Sequence, residues 1–174
     1  GHSVGEFAAA VVCGHYTIEQ VMPLVCRRGA LMQLCASGAM VAVFAQEEAL
    51  MPLARQFELD LAANNGTRHT VFSGPEARIA EFCAALSQHE IDYRRLRVTG
   101  AAHSALLEPI LDRFQEACAG LLAEPGQIPL ISTLTAEVID EATLNQADYW
   151  RRHMRQPVRF IQSIQAARKL GARV

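Results

Sequence analysis

Hydrophobic positions along the 174 residues change rhythm three times, and those changes divide the chain. The first stretch is short and rich in small residues. "EFAAAVVCG" (6–14) reads as a helix packed closely on both sides and stopped at Gly14. "TIEQVMPLVCRRGALMQLC" (17–35) is apolar at helical spacing, with Thr17 as N-cap and Gln20 in the capping-box slot three residues on. From about Ala39 the pattern alternates. "MVAVFA" predicts a strand and "EEALMPLARQF" a helix, while "LDLAANNG" and "HTVFSG" predict two strands, with turn chemistry at Asn64, Asn65 and Gly66. "PEARIAEFCAALSQHEI" predicts a helix with Pro75 in its first turn, and "DYRRLRV" a last strand. This β-α-β-β-α-β order is that of a ferredoxin-like unit at 39–98.

Helical spacing returns after Gly100. "SALLEPILDRFQEACAGLL" puts Leu106, Leu107, Ile110, Leu111 and Phe114 on one stripe, and Pro125 and Gly126 end it. "PLISTL" then predicts a strand and "PVRFIQSIQAARKLG" the start of another helix. The expected fold class is α/β. A larger body built from 1–38 and 99–174 is interrupted by the small unit at 39–98, and the cleft between them is the natural ligand site.

Composition narrows the function classes. With 51% hydrophobic and 20% charged residues the chain reads as globular rather than disordered. A net charge of −2 without a Lys/Arg cluster argues against nucleic acid as a partner, and no apolar run is long enough for a bilayer span. The five cysteines (Cys13, Cys26, Cys35, Cys83, Cys118) are odd in number and scattered, without a C-x-x-C pair. Reduced thiols in a cytoplasmic protein are expected, with no metal site.

Chemistry enters at Gly1-His2-Ser3-Val4-Gly5. A G-x-S-x-G pentad suits a sharp strand-to-helix turn that exposes a serine; the same residues also suit a glycine turn with a serine cap. An elbow needs a strand in front of it, so the sequence is expected to be a segment of a longer chain. Among six histidines, His2 adjoins Ser3 and reads as structural, while His15, His89 and His153 read as solvated. His69 starts a strand. His103 stands where the inserted unit returns to the main body, as a helix cap, a buried structural residue or a general base. Arg27 and Arg28 point about 100° apart on a helix, so at most one follows the apolar face inward. An inward guanidinium would bind a carboxylate through two parallel hydrogen bonds.

The stretch "GHSVGEFAAAVVCGHYTIEQVMPLVCRRGALMQ", with "AANNGTRHTVFSGP", "AAHSALLEPIL" and "YWRRHMRQPVRF" after it in order, resembles malonyl-CoA:acyl-carrier-protein transacylases, above all the acyltransferase domains of modular polyketide synthases. The resemblance covers essentially the whole chain. It implies a hydrolase-like α/β core with a ferredoxin-like insert, and no bound cofactor. Ser3 becomes the acyl-accepting nucleophile, His103 its base, and Arg28 the holder of the extender unit's free carboxylate. His103 would be oriented by a backbone carbonyl near Leu170. The oxyanion hole would combine the Val4 N–H with a glutamine of a G-Q-G stretch that lies ahead of this segment; a glycine-rich stretch would follow Val174. Acyl-CoA is the implied donor, the phosphopantetheine thiol of an acyl carrier protein the acceptor, and a ketosynthase and other synthase modules the neighbours. Where malonyl-selecting relatives usually carry H-A-F-H and methylmalonyl-selecting ones Y-A-S-H, this chain has Gly100-Ala101-Ala102-His103. Ala102 removes the bulk that crowds a methyl branch, whereas Val4 and "RGALMQ" resemble malonyl-type members; malonyl is the expected unit. The rival readings are an α/β-hydrolase thioesterase, whose acid would have to be Asp60 or Asp92, and an inactive domain that docks a carrier protein.

Overall fold

Four of the alternating segments pair as one antiparallel sheet. In the computed structural model, which describes residues 1–98 and 100–173, these are β1 (Gly38–Val43), β2 (Asp60–Gly66), β3 (His69–Pro75) and β4 (Tyr93–Arg95). Their order in the sheet is β2-β3-β1-β4, and every pairing is antiparallel. With α3 (Glu47–Gln56) after β1 and α4 (Glu76–Gln88) after β3, this is the ferredoxin-like order that the alternation predicts. The strand at β4 is shorter than the seven residues anticipated, although Leu96 N–H still reaches the Met40 carbonyl at 2.9 Å.

One face of the sheet packs against the two helices. Val41, Val43 and Phe72 meet Leu50, Ile79, Phe82 and Leu86 there in a closed apolar cluster. Each fully buried side chain of that size contributes about 1.5–3 kcal/mol. The opposite face carries small residues, Ala42, Ala62, Ala63 and Val71, and meets Val158 of the main body. A backbone exchange joins the two parts: Asn64 N–H donates to the Val158 carbonyl and Val158 N–H to the Ala62 carbonyl, both at 2.9 Å.

The main body is helical among the described residues. It contains α1 (Gly5–Val12), α2 (Ile18–Met32), a 3-10 turn (Ala105–Leu107), α5 (Glu108–Cys118), α6 (Glu141–Leu144), α7 (Tyr149–Arg155) and α8 (Phe160–Lys169). The Thr17 and Gln20 capping box that starts α2 is fully formed, with both reciprocal hydrogen bonds present. The stripe of α5 is buried as its spacing predicts, with Ile110, Leu111 and Phe114 in a core shared with Phe7, Leu31, Trp150 and Met154. "PLISTL" shrinks to the two-residue strand β5 (Leu130–Ile131), paired with β6 (Val138–Ile139). Ser132 N–H still reaches the Glu137 carbonyl at 2.9 Å, but at Thr133 the backbone N–H leaves the hairpin and donates to Glu6. Helix α7 went unpredicted. Its buried side chains, Tyr149, Trp150, His153 and Met154, nonetheless follow helical spacing, with the three arginines turned outward.

Candidate active site

The serine turn and the histidine loop both rest on backbone that a side chain rarely adopts. Ser3 has φ +50° and His103 φ +59°, in the left-handed region. Such a conformation costs about 1–3 kcal/mol and persists only where surrounding bonds over-determine it. At the serine, Gly5 N–H donates to the His2 carbonyl at 2.9 Å and Glu6 N–H to the Ser3 carbonyl at 2.8 Å. The Val4 N–H precedes these bonds at the mouth of α1, where helix geometry leaves the first amides without an intrahelical acceptor.

Around the histidine the ties run to both parts of the molecule. Ser73 Oγ–H of β3 donates to the Ala102 carbonyl at 2.7 Å, and Ser104 Oγ–H to the Ala101 carbonyl at 2.7 Å. Asp60 of β2 accepts from Ala105 N–H at 2.7 Å, and its other oxygen accepts from Arg155 at 2.9 Å. Gly38 leaves room for this loop, since a Cβ there would lie 2.7 Å from Ala101 Cβ and from Leu106 Cδ1.

These supports bring Ser3 Oγ within 2.7 Å of His103 Nε2. His103 Nδ1 lies 2.8 Å from the Gln156 carbonyl, just past the end of α7. A carbonyl only accepts, so Nδ1 carries the hydrogen. In the neutral ring Nε2 is then a free lone pair aimed at the serine hydroxyl, which donates to it. Burial pushes the His103 pKa down to about 3, helped by neighbouring His153 and Arg28 and opposed by the Gln156 carbonyl. The ring is therefore a neutral base at ordinary pH.

The carbonyl on which His103 rests is thus that of Gln156 and not one near Leu170. Leu170 sits at the C-terminal end of α8 and is 59% exposed. Neither Asp60 nor Asp92 takes that place either. Asp60 braces the loop two residues past His103, and Asp92 belongs to the β1–β4 edge, where its carbonyl accepts from Phe44 N–H.

Arg28 is the inward member of its pair. It is 8% exposed, with Nη2 3.5 Å from Ser3 Oγ, whereas Arg27 is exposed. Burial pushes the Arg28 pKa down, and its Nε is buried without a hydrogen-bond partner among the described residues. The guanidinium thus has donors to spare beside the serine hydroxyl, which is what pairing with an anion there would require. Ala102 is half-buried next to His103. His2 projects from the serine turn to Asn65, with its Nε2 2.8 Å from Asn65 Oδ1. Asn65 is the extra residue of a bulge in β2, opposite the interval between Thr70 and His69, which is how a strand re-aims a side chain.

Two features escaped the sequence reading. His15 and His153, expected in solvent, are buried: His15 Nδ1 meets the Glu124 carbonyl at 2.9 Å, and His153 lies inside α7. Glu6, three residues after Ser3, is fully buried. Its Oε2 accepts from Thr133 N–H at 2.7 Å and Thr133 Oγ1–H at 2.6 Å, and its Oε1 from the Tyr149 hydroxyl at 2.5 Å. Among the described residues no His/Cys/Asp/Glu group is arranged to hold a metal ion, and no helix is long and apolar enough to cross a membrane.

The acyl transferase domain profile matches residues 1–174. The chain belongs to the acyl transferase domain family. It is 40% identical over 176 residues to the spectinabilin polyketide synthase system protein NorB of Streptomyces orinoci, covering 99% of this chain and 8% of that protein. The acyltransferase domain from the second module of the salinomycin polyketide synthase superposes with a TM-score of 0.91 at 38% identity, covering 99% of this chain and 41% of that one. The acyl transferase domain of SpnD, in complex with 2-(pent-4-yn-1-yl)malonyl, does so with a TM-score of 0.91 at 32% identity, covering 97% and 41%. This acyltransferase chain therefore spans under a tenth of the NorB polypeptide and about two fifths of the two solved domains. Its fold is the α/β acyltransferase fold of polyketide synthases.

Proposed function

We propose that this chain carries the acylation site of an acyltransferase that moves a malonyl-type extender unit from CoA to an acyl carrier protein in polyketide biosynthesis. The observation that carries the reading is the convergence on one oxygen: Ser3 Oγ meets His103 Nε2 at 2.7 Å and Arg28 Nη2 at 3.5 Å. His103 takes the hydroxyl proton as Ser3 Oγ attacks the thioester carbonyl of acyl-CoA. The oxyanion that forms is met by the Val4 N–H, with a second donor from the rest of the domain. Collapse of this intermediate breaks the C–S bond, the proton on His103 goes to the CoA sulfur, and a seryl ester remains. The phosphopantetheine thiol of the carrier protein then gives its proton to His103, attacks the ester and regenerates Ser3.

Arg28 supplies selectivity for a carboxyacyl group, because a bound acetyl group would leave the buried guanidinium without a counter-charge. Ala102 sets the space beside the base, and malonyl is the unit proposed; the substituted malonyl bound by the SpnD relative marks a branched unit as the alternative. In this reading the site lies on the main body, and the unit at 39–98 braces its histidine loop through Ser73 and Asp60. The setting proposed is cytoplasmic, beside ketosynthase and other synthase modules. Hydrolysis by an acid-oriented triad is disfavoured, because His103 Nδ1 rests on the Gln156 carbonyl and Arg28 would have no role.

Intact-mass measurement of the full-length domain after incubation with malonyl-CoA tests this. A single malonyl adduct is expected on the wild type and none on Ser3→Ala. An adduct retained by Ser3→Ala would overturn the assignment of the nucleophile.

A further inference from the structure

We propose that Glu6 is a positioning residue: its buried carboxylate holds the serine turn in register with the His103 imidazole by tying the start of α1 to the Thr133 loop and to α7. The inference rests on the reading of Ser3 and His103 as the acyl-transfer pair.

A fully buried carboxylate is expensive unless donors surround it, and an apolar residue would fill the same space without that cost. The chain surrounds this one fully. Thr133 gives two hydrogen bonds to Oε2, Tyr149 gives one to Oε1, and His153 Nε2 stands 3.4 Å from Oε2. Burial pushes the Glu6 pKa up, but His153, Thr133 and Tyr149 outweigh it and bring the value down to about 2, so the group is ionised across the working range.

The contacts close a ring. Glu6 N–H donates to the Ser3 carbonyl, so the carboxylate lies within one turn of the reacting hydroxyl. Tyr149 and His153 both belong to α7, and α7 ends at Gln156, whose carbonyl holds His103 Nδ1. His103 returns to Ser3. The Thr133 branch adds a second route, since Arg159 N–H donates to the Thr133 carbonyl at 2.8 Å just after Gln156. Nucleophile and base each sit on left-handed backbone, and the Glu6 carboxylate is the side-chain link that spans the two. Its charge makes the link directional, because every bond it accepts must come from a donor in a fixed place.

The test uses the full-length domain and two readouts: kcat and KM for malonyl transfer, and the rate at which a fluorophosphonate, which needs no CoA or carboxylate recognition, labels Ser3. Glu6→Gln keeps the shape but presents an amide N–H₂ to groups that are themselves donors. It is expected to lower kcat and the labelling rate together by about 10- to 100-fold, the scale of a sub-ångström to 1 Å misplacement, while KM stays within about twofold. Thr133→Val should give a smaller loss of both rates, which Thr133→Ser restores. A folded Glu6→Gln domain with wild-type kcat and labelling, or one in which only KM rises, would overturn the proposal. If Glu6→Gln does not fold, Thr133→Val and Tyr149→Phe keep the carboxylate while each removes one side-chain donor to it, and wild-type rates in both would overturn it equally. A wild-type domain that neither acylates nor labels at Ser3 would instead refute the acyl-transfer reading, and this proposal would fall with it.

Discussion

Replacing Arg28 with alanine removes a guanidinium that is 8% exposed and stands 3.5 Å from Ser3 Oγ, the proposed nucleophile. Bidentate recognition of a malonyl carboxylate involves two charge-assisted hydrogen bonds, each worth about 1.5–3 kcal/mol. Their joint loss, with the carboxylate left unpaired, is about 3–5 kcal/mol. At about 1.4 kcal/mol per factor of ten, kcat/KM for malonyl-CoA falls by about 10²- to 4 × 10³-fold. Acetyl-CoA has no carboxylate to lose, and alanine removes the uncompensated cation that opposes its binding. The malonyl-to-acetyl ratio should therefore collapse by about the same 10²- to 4 × 10³-fold. Stability should move the other way or not at all, because Arg28 Nε is buried without a partner among the described residues and a burial cost disappears with it. The assay is competition between malonyl-CoA and acetyl-CoA on the full-length domain, read as the two acyl-enzyme masses, with a thermal melt of each variant. Arg27→Ala, at an exposed position on the same helix, should leave the ratio within about twofold. Equal losses for both substrates, or a fall in melting temperature as large as a core truncation gives, would show that Arg28 is structural and refute the argument.

The His103 pKa, held near 3 while an unfolded histidine titrates near 6.5, predicts two pH effects. The acid limb of kcat/KM should lie well below pH 6, so a titration centred near 6.5 would contradict the buried neutral base. Below pH 6.5 the unfolded chain binds a proton at this residue and the folded one does not, so stability declines as pH falls from 6.5 toward 3; denaturant titrations at pH 7 and pH 5 should show a smaller decline in His103→Gln than in wild type. Ala102→Phe should reduce methylmalonyl loading more than malonyl loading, with a ratio change limited to about 10- to 200-fold, the range one hydrophobic contact supports. Competition between the two thioesters measures it, and an unchanged ratio would move the selectivity determinant elsewhere.

What could be read from the residues was what is local. The Thr17–Gln20 box spans four residues and the stripe of α5 repeats within eleven, so each of these elements announces itself, whereas Asn64, Asn65 and Gly66, expected as a turn, belong to β2 and the turn falls at Thr67 and Arg68. Ser3 was legible from its pentad, in which Gly1 leaves room for the Gly5 carbonyl, while the 100° step of a helix said only that one of Arg27 and Arg28 turns inward, and the family resemblance picked out Arg28. The orienting carbonyl was not legible, since a backbone acceptor such as that of Gln156 has no side-chain signature; only the fold brings it 53 positions back to His103. Nothing in the sequence set Glu6 apart, because an acid in the first turn of a helix is ordinary. Its donors lie 127 and 143 positions away, beyond any window of periodicity. His153 was misread because three arginines share its helix, although Tyr149, Trp150 and Met154 on the same face are the signal that the helix is half in the core.

The loop that carries the base is tied on one side to Ser73 and Asp60, both on the four-stranded sheet, while the serine turn reaches Asn65 of the same sheet through His2. This makes the sheet part of the alignment of Ser3 and His103, and it bears on how such domains can be recombined. A chimaera that exchanges the sheet-bearing segment with that of a relative transplants the footings of the histidine loop along with any substrate contacts. Where the incoming segment lacks an acceptor at position 60, a short hydroxyl at 73 or the bulge at 65, the hybrid would bind its new substrate beside a base that no longer faces the serine. Recombination junctions should keep these three positions together with the 101–106 loop, as one inherited block.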